Sequence, residues 1–235
     1  MAAIGEHAHT TSGWEVIDTR PLPERGIGVG SCFLVGNGYL GYRGTRPDQL
    51  AVDFVGCVVS DTYDMADGVW RELCTVPNGL FVAVELDGEP LRFDETRPAE
   101  IELTLETGEV TNRWSATTDG GRRALVSMRR FASLDDLHTV AQQLTVVPDT
   151  EADVVILAGI DDDVWSLNGD HFASMSTTVD AAASTDDATD GDHGLVTSRC
   201  VTGERGVEVA VASAVAVDGP DASRTHSPTL PGSRG

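Results

Sequence analysis

The sequence predicts an all-β protein built as a large antiparallel β-sandwich. Three observations carry that prediction. Short apolar runs recur along most of the chain, tight-turn residues separate them, and sustained 3.6-residue apolar stripes are nearly absent. Strands at near-regular spacing with turn chemistry between them are the pattern of an antiparallel sandwich.

The elements follow in order. Cys32–Val35 reads as a strand, approached through a flexible Gly26-Ile27-Gly28-Val29-Gly30 and turned back by Asn37-Gly38, a strong hairpin signal. Leu80–Leu86 (LFVAVEL) runs into the hairpin dipeptide Asp87-Gly88 and returns as Pro90–Phe93. Ile101–Leu105 (IELTL) alternates apolar and polar residues, turns at Thr107-Gly108 and returns as Val110–Ala116. Asp119-Gly120-Gly121 opens Arg122–Phe131, where Ala124, Val126 and Met128 alternate with polar neighbours. Further strands are predicted at His138–Val147, Val154–Ile160, Gly194–Val201 and Gly206–Val217, with one short turn around Leu134–Leu137. Two segments lack any such pattern. The acidic, small-residue stretch across residues 180–193 reads as a long flexible loop, and residues 219–235 read as a disordered tail or linker. The sandwich domain is therefore expected to span residues 1–218.

Charge narrows the function classes. The 38 acidic residues face 16 basic ones, all of them arginine, for a formal net charge of −22. Such a field repels phosphate backbones and anionic membrane surfaces, so neither nucleic acid nor a membrane is an expected partner. It suits a halophilic setting, where salt screens the self-repulsion. No N-terminal apolar run and no stretch near the roughly 18 apolar residues of a membrane span occur, so a cytoplasmic location is expected.

No residue is nominated as catalytic, cofactor-binding or metal-ligating. Gly36, Gly38 and Gly41 match G-x-G-x-x-G, but a phosphate cradle needs a helix directly after it. Gly44 and Pro47 would break that helix, so a hairpin is predicted and no cofactor is expected. Arg43 beside it is expected to pair with a carboxylate. Cys32, Cys57, Cys74 and Cys200 are too widely spaced for a metal site and are expected as buried free thiols. Asp161-Asp162-Asp163 lacks the alternation of a calcium loop and reads as solvated. His7 and His9 are the one histidine pair at ligand spacing, in a terminus expected to fray.

Four stretches in order carry a family resemblance. They are Ser31–Gly44 (SCFLVGNGYLGYRG), Arg71–Asn78 (RELCTVPN), Leu103–Arg113 (LTLETGEVTNR) and Arg130–His138 (RFASLDDLH). Together they resemble the N-terminal domain of glycoside hydrolase family 65, the maltose, trehalose and kojibiose phosphorylases and their hydrolase relatives. Gly30 stands where the family has glutamate, and Thr75 where it has asparagine. The resemblance implies a galactose mutarotase-like super-sandwich followed, in the family, by an (α/α)6 barrel that holds the catalytic glutamate and the phosphate site. It implies inverting cleavage of an α-glucosidic disaccharide by phosphate or water.

This chain is expected to lack that barrel and to be inactive alone, as an N-terminal domain, a fragment, or the product of a truncated or frameshifted gene. Its expected partners are a helical-barrel catalytic domain or subunit, a second copy in a homodimer, and an α-glucoside. A sandwich face left uncovered by the barrel is expected to be apolar. The alternative is a free-standing carbohydrate-binding β-sandwich module, with Trp70, Trp114 and Trp165 as stacking candidates; core packing is expected for each.

Overall fold

A computed structural model of the 235-residue chain describes residues 8–9, 13–20, 28–66, 68–180 and 194–219. Along the chain these residues form β1 (Ala8–His9), β2 (Glu15–Asp18), a short helix α1 (Gly28–Cys32), β3 (Val35–Gly36), β4 (Leu40–Tyr42) and a 3-10 turn at Ala51–Asp53. Next come β5 (Cys57–Ala66), β6 (Trp70–Val76), β7 (Asn78–Leu86), β8 (Glu89–Pro90), β9 (Arg92–Phe93) and β10 (Glu100–Thr104). β11 (Glu109–Thr117), β12 (Arg123–Ala132), β13 (Val140–Pro148), β14 (Val154–Asp161), β15 (Phe172–Asp180), β16 (Gly194–Thr202) and β17 (Glu208–Val215) complete them. The strand pairs whose register is defined are all antiparallel, and the protein is all-β. The 180–193 loop and the 219–235 tail, apart from Asp180 at the end of β15 and Gly219, lie outside the described residues, as does His7.

The chain divides into two compact units. The first comprises Asp53–Val55, Ala83–Ile156 and the described part of Met1–Gln49. Its sheet runs β1-β2-β10-β11-β12-β13, with β9 pairing the end of β11. Strict alternation sets one face of β11 and β12 inward: Trp114 lies opposite Val126, and Ala116 opposite Ala124. These four and Met128 pack with Val84 and Leu86 of β7, and Leu144, Val146 and Ile156 close around them. Two β layers thus share one apolar core, which makes this unit a sandwich. Each large side chain buried there contributes about 1.5–3 kcal/mol. The turn from β7 to β8 shows why Asp87-Gly88 was legible. Both residues take positive φ, 51° and 80°, as a two-residue hairpin of this kind requires.

The outer face of the same sheet is mixed rather than apolar. Leu125, Val147 and Phe131 are exposed, but Arg113 pairs with Glu100 at 2.6 Å and Glu102 at 3.1 Å, and Arg129 with Glu109 at 2.8 Å.

The second unit comprises Leu50–Val52, Gly56–Val82 and the described part of Leu157–Gly235. It contains the β5–β6 hairpin and the β15-β16-β17 meander. Its interior is unusually polar: Ser198, Thr202, Asp64 and His171 are each at most 2% exposed. Cys57, Cys74 and Cys200 are buried here as free thiols, and Cys32 of the first unit is half-buried and free.

Two expectations are corrected. The stretch read as a flexible approach and a strand from Cys32 is instead the helix α1, whose turn ends with Phe33 N–H donating to Val29 O at 3.1 Å. Trp70 is not core: it is 64% exposed, whereas Trp114 is 7% exposed and Trp165 half-buried.

Candidate functional site

In the first unit, two of the four sequence motifs build one surface. The hairpin of β3 and β4 pairs Val35 with Tyr42 and Gly36 with Gly41. Gly38, at φ 88°, turns it, and the Asn37 carboxamide oxygen accepts from the amides of Tyr39 at 3.0 Å and Leu40 at 2.9 Å. No helix follows, so the glycine pattern is a turn and not a phosphate cradle. The Asn37 amide nitrogen then reaches across the unit, donating to Ser133 O at 2.7 Å and Leu137 O at 3.0 Å. The loop it grips is itself locked. Ser133 Oγ accepts from Asp135 N and Asp136 N, and Asp136 accepts from His138 N and from Thr139 Oγ1. Tyr39 packs on the His138 ring with centroids 4.4 Å apart. Around this rigid tip Leu34, Leu134 and Leu137 are 41%, 80% and 41% exposed.

Beneath the tip sits Arg130, 1% exposed. Its Nη1 donates to Arg43 O at 2.8 Å, its Nε and Nη2 donate to Gln142 Oε1 at 3.1 and 2.7 Å, and its guanidinium lies 5.1 Å from the Tyr42 ring centroid. Arg43 Nη1 donates to Ser31 Oγ at 2.6 Å. Gly44 is required by space: a Cβ there would lie 2.5 Å from Phe33 O.

The second unit holds a buried acid–imidazole cluster around the RELCTVPN motif. His171 Nε2 lies 2.6 Å from Glu72 Oε1, and its Nδ1 3.5 Å from Asp64 Oδ2. Asn168 donates its backbone N–H to Glu72 Oε1 at 3.2 Å and its amide to Oε2 at 2.8 Å. Asp64 accepts from Glu204 N at 2.8 Å, and Glu204 pairs with Arg71. Burial pushes the Glu72 carboxyl up, but the bonds from His171 and Asn168 outweigh it and hold it below the usual carboxylate range. Burial, with Asp64 and Glu72 adding to it, pushes the Cys74 thiol up to about 12. Among the described residues no group of three or more His, Cys, Asp or Glu could hold a metal ion. Asp161 accepts from Asp163 N at 3.2 Å and is pushed up by burial; Asp162 accepts from Thr177 Oγ1 at 2.5 Å.

These groups bind one another, and no nucleophile–base pair aimed at open space was found among them. What the chain is similar to decides more. A family model described as the glycosyl hydrolase family 65 N-terminal domain matches residues 23–233. The chain belongs to glycosyl hydrolase family 65. This family 65 domain is 41% identical over 173 residues to the 1,2-alpha-glucosylglycerol phosphorylase of Bacillus selenitireducens, covering 73% of the chain and 23% of the relative. It is 30% identical over 144 residues to the nigerose phosphorylase of Lachnoclostridium phytofermentans, covering 61% of the chain and 19% of the relative. A solved structure from the human microbiome, assigned as a kojibiose phosphorylase, matches with a TM-score of 0.59 at 12% identity, over 89% of this chain and 31% of that one. That last likeness shows the fold alone. The family 65 domain thus spans less than a quarter of the length of these two curated relatives, at 23% and 19%.

Sequence reasoning missed the roles of Asn168 and His171, which are far from Glu72 along the chain, and of Asp64, which pairs opposite Glu72 across the β5–β6 hairpin. It placed Asn37, Arg130 and His138 within motifs, but not in contact.

Proposed function

We propose that the chain is the N-terminal, non-catalytic domain of a family 65 enzyme that cleaves α-glucosides by phosphorolysis, with glucosylglycerol as the first substrate to test. The observation that carries this is the 41% identity to a glucosylglycerol phosphorylase within a match to the family's N-terminal domain. The role given to the domain is structural. The tip locked by Asn37 presents Leu34, Leu134 and Leu137 on a fixed backbone, the kind of rigid apolar patch that seats another domain. Its expected occupant is the catalytic part of the enzyme. The test is exchange of this chain for the corresponding N-terminal segment of the Bacillus selenitireducens phosphorylase, read as glucose 1-phosphate release. An active hybrid and an inactive isolated chain are expected. A soluble but inactive hybrid, or glucose 1-phosphate from the chain alone, would contradict the proposal.

A further inference from the structure

Along one face of β6 the side chains pass from core to solvent. Val76 and Cys74 are each 1% exposed, the Glu72 side chain 20%, and Trp70 64%. Residues two apart on a strand share a face at a spacing of roughly 6.6 Å, so the indole stands one rung beyond the Glu72 carboxylate. Its support is firm. Ala66, paired opposite Trp70, is 5% exposed, and Asp64, paired opposite Glu72, is 2% exposed. Asn168 grips Glu72 through both its backbone and its amide, and Leu167, the residue before it, is 76% exposed. Val69, next to the indole, is 66% exposed.

We propose that this face is an α-glucoside-binding site in which a pyranose ring lies on Trp70 and its hydroxyls bond to Glu72 and Asn168. An indole offers a large, rigid, apolar plane at little entropic cost, and a few fixed polar groups beside it set orientation. The carboxylate rim accepts hydroxyl donors, and a chain of net charge −22 favours a neutral ligand over an anionic one. The site is separate from the tip held by Asn37, and the choice of ligand rests on the family reading above.

The experiment is saturation-transfer NMR of the full chain with glucosylglycerol and with kojibiose, alongside fluorine NMR of fluorotryptophan-labelled protein. Transfer to ring protons and a shift of the Trp70 resonance are expected. Trp70→Ala should weaken binding by roughly tenfold or more while leaving the unfolding midpoint unchanged, and Trp70→Tyr should recover part of it. If Trp70→Ala does not fold, the wild-type Trp70 shift and the Trp70→Tyr affinity decide. No transfer from the wild type, or equal affinity in the Trp70 variants, would overturn the proposal. So would a change in self-association on losing the indole without any sugar response, which would mark a protein interface. A failure here with an active hybrid enzyme would leave the family reading standing.

Discussion

Asn37→Ala tests how the signature tip is held. The substitution removes four hydrogen bonds: two accepted from Tyr39 N and Leu40 N, and two donated to Ser133 O and Leu137 O. At a net worth of about 0.5–1.5 kcal/mol each, the four sum to about 2–6 kcal/mol. The acceptors at Ser133 and Leu137 lie near the surface and can bind water once released, so the low end applies and a loss of about 2–3 kcal/mol is expected. Asn37→Asp separates the turn from the long-range tie. It keeps an acceptor for the two amides but sets a second carboxylate oxygen against two carbonyls. It should therefore be clearly destabilised at neutral pH and recover relative to Asn37→Ala as the pH falls through the carboxylate range, where a protonated carboxyl can donate again. Urea unfolding followed by tryptophan fluorescence gives the differences, with the slope unchanged. An Asn37→Ala protein within about 0.5 kcal/mol of wild type would refute the reasoning, because a surface substitution away from any such feature costs no more than that.

Two further outcomes follow from the second unit. The Glu72 carboxyl is depressed in the folded protein, so it contributes stability above its unfolded pKa of about 4.3 and loses it as the pH falls through the lower folded value. Glu72→Gln should be less stable at neutral pH and show a shallower loss on acidification; parallel stability curves would argue against the cluster. A thiol reagent at mildly alkaline pH should label Cys32 promptly, because burial protects Cys57, Cys74 and Cys200 and pushes Cys74 up to about 12 and Cys200 up to about 11. Prompt reaction of a second thiol in the native protein would contradict this.

The β10–β13 meander was legible because its strands alternate cleanly and its turns carry the residues their geometry needs. β5 was not. Its stretch CVVSDTYDMA has a register shift between Val58 and Tyr63, and it buries Thr62 and Asp64 where alternation would put apolar residues. β15 (FASMSTTVD) was missed because its half-buried Met175, Thr177 and Val179 alternate with small and polar residues and include a polar rung, Thr177, which bonds across to Ser198 of β16 at 3.1 Å. α1 was hidden by Gly28 and Gly30; only the second reflects tight packing, since a Cβ at Gly30 would lie 2.9 Å from Arg43 Nη2. Of the candidate sites, the motifs named Asn37 and Glu72. Their partners lie about a hundred residues away, Ser133 96 positions from Asn37 and His171 99 from Glu72, and only the fold brings them together. Trp70 was weighed as a stacking candidate and read as core, together with Trp114 and Trp165. Its exposure follows from standing at the turn end of the β5–β6 hairpin, opposite Ala66.

The central claim is that this domain completes a family 65 phosphorylase. The most direct measurement is the initial rate of glucose 1-phosphate release from glucosylglycerol and phosphate by the hybrid enzyme, set beside the parent and the isolated chain. The predicted result is a phosphate-dependent rate from the hybrid, its loss when the N-terminal segment is deleted, and none from the chain alone. A folded hybrid with no rate, or a deletion that keeps the parent's full rate, would contradict it.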